Sequence, residues 1–178
     1  MNNSNSTQQS TESVFIALQG LRGLQQSVEH RPVLLGELIH YVRGSAEVNE
    51  TLIREQLKTQ LPLRRQFNQL LEDLRVATAP RQAQAASDEV CTGREAAGFS
   101  LKFKASKAHS DQIYIILTVR GESGMVDGHN PVIVVEREDD IERLCFPVLN
   151  EHRAQTLLLE NDSCLALLRD PDAELSLI

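Results

Sequence analysis

Apolar residues recur at helical intervals through the first half of the chain. Between Val14 and Val28 they fall at Val14, Leu18, Leu21 and Val28, flanked by Phe15 and Leu24, which predicts a first helix. Gly20 and Gly23 lie inside it, each costing about 1 kcal/mol against Ala, and close contact with a neighbouring helix is the expected reason for them. Pro32 suits the first turn of a second helix with the stripe Leu34, Leu35, Leu38, Ile39 and Val42, closed by Gly44 as a left-handed cap. Asn49 is placed to cap a third helix, with Leu52, Ile53, Gln56, Leu57 and Leu61 on one side. Pro62 opens a fourth, with Leu63, Phe67, Leu70, Leu71 and Leu74 on one face and Arg64, Arg65, Glu72, Asp73 and Arg75 mostly on the other. Short connections predict a small bundle.

The pattern then stops. Ala77 to Ser87 is small and polar around Pro80 and reads as a linker. After Gly98 the period becomes two. Phe99, Leu101 and Phe103 alternate with Ser100, Lys102 and Lys104, which predicts a half-buried strand. Ile113 to Val119 reads as a strand buried on both faces around Ile115-Ile116-Leu117, and Val132 to Val135 as another buried strand. Glu138-Asp139-Asp140 is a charged turn, and Cys145–Leu149 and Ala154–Leu159 are strands joined across Asn150-Glu151-His152. Asp162 or Ser163 caps a short helix to Leu168, and Leu175–Ile178 forms a final strand. The expected class is α+β: a polar tail over residues 1–12, a helical bundle over 13–76, a linker over 77–97 and a β-rich domain over 98–178.

Charge separates the two parts further. Residues 1–97 carry ten basic and eleven acidic side chains, and residues 98–178 carry eight and fourteen, so the net −7 sits mainly in the second part. An acidic surface repels phosphate backbones, so direct nucleic-acid binding is not expected. Aromatic residues are 4% of the chain, with no Trp, so the core is expected to be aliphatic. Cys91, Cys145 and Cys164 are odd in number and widely spaced, which predicts reduced thiols. No apolar run approaches the ~20 residues of a membrane span, and Met1 to Ser13 lacks the features of a secretory signal. A cytoplasmic protein without membrane contact is the expectation.

Reactive residues do not form a recognisable constellation. The five His and three Cys include no Cys-x2-Cys and no His-x3-His pair, so no metal site is expected. Cys145 and Cys164 lie among Leu, Phe and Ala, where thiols are inert. Gly121-Glu122-Ser123-Gly124 has Met125 where a nucleophile elbow needs its second glycine. Asp127-Gly128-His129-Asn130 reads as a solvated turn, and Glu136, Glu138, Asp139, Asp140 and Glu142 as a solvated face. Phosphate-binding glycine motifs are missing. No catalytic residue and no cofactor is therefore assigned. The candidates for partner contact are apolar and basic helix residues at i, i+3, i+4 and i+7 spacing: Phe15, Ile16 and Leu24 on the first helix, and Arg64, Arg65, Phe67 and Leu71 on the fourth.

The run Leu38-Ile39-His40-Tyr41-Val42-Arg43-Gly44, the helix from Asn49 to Leu61, and Pro62-Leu63-Arg64-Arg65-Gln66-Phe67-Asn68-Gln69-Leu70-Leu71-Glu72-Asp73-Leu74-Arg75 are similar to the N-terminal helical domain of bacterial anti-sigma factors. The resemblance covers about a quarter of the chain, Leu34 to Ala79. Where many members carry a His-x3-Cys-x2-Cys zinc site, Leu61-Pro62-Leu63-Arg64 stands here, so the resemblance implies a metal-free version. It implies sequestration of a sigma factor. The function expected is therefore that of a regulatory protein that binds another protein. The alternative is an adaptor or chaperone subunit of a larger bacterial assembly, serving secretion or defence, in which helices and strands pack as one unit.

Overall fold

The computed structural model describes residues 31–81 and 91–178, and the helix expected over Val14–Val28, with Phe15, Ile16 and Leu24, lies outside them. The chain divides into two units, Met1–Val33 and Leu34–Ile178. The second unit contains α1 (Leu35–Val42), α2 (Glu50–Thr59), α3 (Leu61–Leu74), β1 (Ala77–Ala79), β2 (Gly93–Glu95), β3 (Phe99–Ala105), β4 (Gln112–Val119), β5 (Val132–Arg137), β6 (Asp140–Cys145), β7 (Arg153–Leu159), α4 (Ser163–Arg169) and β8 (Glu174–Leu177). The α+β class is as expected.

Local chemistry sets the helix ends. Pro32 falls before α1 and not in its first turn. The Leu34 N–H instead donates to Glu37 Oε2 at 3.0 Å. Gly44 closes α1 at φ +79°, its N–H donating to Tyr41 O and that of Ser45 to His40 O, which is the paired bonding of a Schellman cap. Asn49 Oδ1 accepts the Leu52 N–H at 3.0 Å, Pro62 lies in the first turn of α3, and Asp162 accepts the Cys164 N–H at 2.8 Å to open α4.

The strands form two antiparallel sheets of four, ordered β1-β8-β5-β6 and β2-β3-β4-β7. One buried cluster joins them, with Ile133, Val135, Leu175 and Leu177 from the first sheet, Phe99, Leu101, Ile115 and Leu117 from the second, and Leu165 and Leu168 of α4. Alternation on β5 leaves Val132 and Val134 on the opposite face, equally buried. That face meets the helical layer: Gly44 approaches both Val132 and Cys145, so closely that an added Cβ would lie 2.8 Å from Val132 Cγ2. The first sheet is thus a middle layer between helices and the second sheet, which is why β5 reads as a continuous apolar run. β4 differs from expectation. Ile113, Ile115, Leu117 and Val119 point inward, while Tyr114 and Ile116 face outward and are half-buried, because the second sheet is covered on one side only.

Three boundaries differ from the sequence reading. The described parts of the expected linker, 77–81 and 91–97, belong to the sheets: Ala77, Thr78 and Ala79 pair with Leu177, Ser176 and Leu175, and Arg94 and Ala96 are buried. Short strands with little periodicity are hard to see in sequence, and these two add edges to sheets built from distant residues. The charged turn is narrower than expected, with Glu138 at φ +52° and Asp140 already in β6. The strand expected over Cys145–Leu149 ends at Cys145.

Candidate binding cleft between α3 and the first sheet

Carboxylates of β5 and β6 face the chain's own cations, in contrast to the solvated face expected. Arg54 on α2 bonds Glu142, Lys58 reaches Asp140 at 2.6 Å, and Arg64 on α3 approaches Glu136 at 3.4 Å. Pairs as exposed as Lys58–Asp140 contribute roughly 0–1 kcal/mol each. The stronger fastening is Arg143, whose side chain is 3% exposed. It donates to the carbonyls of Tyr41 and Ser45, the latter at 2.8 Å, bonds the Glu50 carboxylate, and lies 4.7 Å from the centre of the Tyr41 ring. A single β6 side chain therefore holds the end of α1 and the start of α2 onto the sheet. Arg94 of β2 ties down the segment between α4 and β8, donating to Asp170 O at 2.6 Å and Ala173 O at 2.8 Å.

Where α3 runs past the open part of the same face, a cleft of about 280 Å³ remains, lined by Arg64, Leu71, Arg75, Arg81, Glu136 and Glu174 among others. Its charges are loosely paired. Arg64 Nη2 donates to Glu138 O at 2.7 Å, yet its Nη1 is buried without a hydrogen-bond partner among the described residues. Arg75 stands 3.8 Å from Glu174, longer than a good charged hydrogen bond of about 2.7–2.9 Å. Burial pushes the Glu136 carboxyl above its ordinary range, opposed by the Arg64 charge and reinforced by Glu174. Ion pairs that are neither short nor saturated can exchange one partner for an incoming charged or polar side chain.

Of the partner-contact candidates, Arg64 lines this cleft and Arg65 is exposed on α3. Phe67 is corrected: it is 0% exposed, because the α3 stripe that carries it is the face turned to the core, and it lies 6.3 Å from the Tyr41 ring; Leu71, on the same stripe, lines the cleft but at 3% exposure offers a partner almost no surface. The sequence pattern singles out neither Glu174 nor Arg81, and it shows Glu136 and Arg75 only as part of a solvated face and of a helix's polar side. They come from three separate segments, and only the β5–β8 pairing, which sets Glu136 opposite Glu174, reveals that they share a face.

The loop candidates serve local structure. Ser123 Oγ donates to Arg120 O at 2.8 Å, His129 Nδ1 lies 3.2 Å from Val126 O, and Asp127 accepts the N–H groups of Glu151 and His152 at 3.1 and 2.8 Å. Those bonds brace the β6–β7 turn, where both residues have positive φ. Cys164 is buried and its thiol is pushed up to about 12, chiefly by that burial. Among the described residues no group of His, Cys, Asp and Glu is arranged to hold a metal ion, and no helix is long and apolar enough to cross a membrane. Comparison with protein-family models, curated proteins and solved structures yields no match.

Proposed function

We propose that this protein acts by binding another protein rather than by catalysis, and that the cleft beside α3, with Arg64 and exposed Arg65, is the contact site. The observation that carries this reading is the unpaired, buried Nη1 of Arg64 in an open cleft whose ion pairs are long. A buried guanidinium nitrogen left unbonded costs about 1–3 kcal/mol or more; Nη1 has no solvent access where it stands, so a partner's carboxylate or carbonyl would recover that energy as Arg64 swings away from its loose contact with Glu136. The lining holds three arginines and four glutamates, so it suits a partner segment that presents carbonyls and charges of both signs.

The compact union of helices and sheets supports the adaptor form of this function, in which the whole body of Leu34–Ile178 carries the partner within a larger bacterial assembly. The similarity of Leu34–Ala79 to anti-sigma factors supports the second form, a cytoplasmic regulator that sequesters a sigma factor without a metal. Both are tested with the whole chain as bait in extract of its native host, beside Arg64→Ala and Arg65→Ala variants shown to melt as wild type does. A protein retained by the wild type and lost from both variants supports the site. Equal retention by all three sinks it. A retained protein other than a sigma factor removes the sequestration form.

A further inference from the structure

The second sheet ends in β7, and the open side of that strand is unusual in its composition. The Val119 N–H donates to His152 O at 2.8 Å and the Glu160 N–H to Asp111 O at 2.8 Å, so the even-numbered residues of β7 turn their backbone groups toward β4. The N–H and C=O of a strand residue point the same way, so Arg153, Gln155, Leu157 and Leu159 turn theirs outward. Arg153 spends both on Asn150, and Leu159 O accepts the Asp162 N–H. Gln155 and Leu157 keep both groups free among the described residues. The pairing with β4 runs unbroken from Gln112↔Leu159 to Thr118↔Arg153, and Ala154 to Leu159 holds no Pro, Gly or charge. Leu157 and Leu159 are 40% and 49% exposed. Such an edge lacks the charge, proline or bulge that ordinarily blocks strand addition.

We propose that this edge is a self-association surface, with β7 of a second copy of the chain as its occupant. Narrow and wide pairs alternate along an antiparallel ladder, so the two-fold axis between identical strands must pass through a residue pair. With Thr156 on the axis, Gln155 of each copy lies opposite Leu157 of the other, and the groups left free become bonded. This register also covers Leu157 and Leu159 against the other copy. Charge agrees with it: Arg153 begins the strand and Glu160 follows it, so antiparallel pairing brings the arginine end of each copy near Glu160 of the other. Glu160 bonds Arg169 at 2.9 Å within its own chain and is half exposed, leaving it accessible to that approach. The surface is separate from the α3 cleft and does not depend on it.

Sedimentation equilibrium of the full chain up to about 100 µM, the range of weak interfaces, tests the proposal together with amide exchange. The expected result is a two-copy mass, reduced to one copy by Leu157→Lys and by Gln155→Pro, with circular dichroism unchanged. Proline is tolerated at Gln155 because the lost N–H faces away from β4. A two-copy mass that survives both substitutions overturns the proposal. So does a one-copy mass throughout: slow exchange of the Gln155 and Leu157 amides would then assign the edge to this chain's own remaining residues, and fast exchange would leave it open.

Discussion

Replacing Arg143 by Met removes the guanidinium that binds three segments of the helical layer while keeping a long apolar stem. Tyr41 O retains the Gly44 N–H at 3.1 Å, so its loss is partial. Ser45 O loses the 2.8 Å bond from Arg143; an acceptor left unpaired costs about 1–3 kcal/mol when buried, and half-buried Ser45 sits at the lower end of that range. The Glu50 carboxylate is 42% exposed and returns to water, so the cost of a fully buried broken pair, about 3–5 kcal/mol, does not apply in full. The guanidinium over Tyr41 adds about 1 kcal/mol. Together these give a destabilisation of about 2–4 kcal/mol, or a fall in Tm of roughly 5–15 °C for a chain of this size. Arg143→Lys, which keeps the charge but not the fork, should lose about half as much. Urea denaturation of both variants measures this. Arg143→Met within about 0.5 kcal/mol of wild type would refute the clamp, since surface substitutions fall in that range.

Three further outcomes follow from particular residues. Gly44→Ala should cost about 1–3 kcal/mol by the same denaturation, because φ +79° is strained for Ala and the new Cβ would crowd Val132 and Cys145. Glu136, with its carboxyl raised by burial, holds its proton more tightly folded than unfolded, so its contribution favours the fold at low pH and is lost as pH rises from the ordinary carboxylate range through its raised value. Glu136→Gln should remove that loss, and a melt series from pH 4 to 8 with unchanged slope would contradict it. Cys164 should react with a thiol reagent only after unfolding, whereas exposed Cys145 should react in the native protein, though slowed by a raised pKa that follows chiefly from desolvation; mass spectrometry of labelled peptides reads both.

The elements legible in the sequence are those with strong local signals. Asn49, Pro62, Asp162 and Gly44 marked helix ends through capping chemistry that depends on a few neighbouring residues, and the alternation from Phe99 marked β3. What the sequence hid is long-range. Ala77–Ala79 has no pattern of its own and becomes a strand because Leu175–Leu177 offers an edge. Phe67 and Leu71 looked like docking residues because an apolar helix stripe reads the same whether it meets the chain's own sheet or a partner. The carboxylates from Glu136 to Glu142 looked solvated because their cations, Arg54, Lys58 and Arg64, stand more than 70 residues earlier. The cleft itself joins α3 to β5 and β8, and only the folded register brings Glu136, Glu174 and Arg64 to one place.

The account depends most on the helices and sheets being one cooperative body, since the cleft has one wall from each. The two tyrosines provide the test, Tyr41 in the helical layer and Tyr114 on the outer face of the second sheet. Tyr41→Phe should be tolerated, because the buried hydroxyl has no hydrogen-bond partner among the described residues. Urea unfolding followed by the fluorescence of Tyr114 in Tyr41→Phe and of Tyr41 in Tyr114→Phe should give transitions with the same slope, each coinciding with the circular dichroism of its own variant. A Tyr41 signal lost at lower urea than the sheet signal of the same protein would mean that the helices form a separable bundle, and would contradict it.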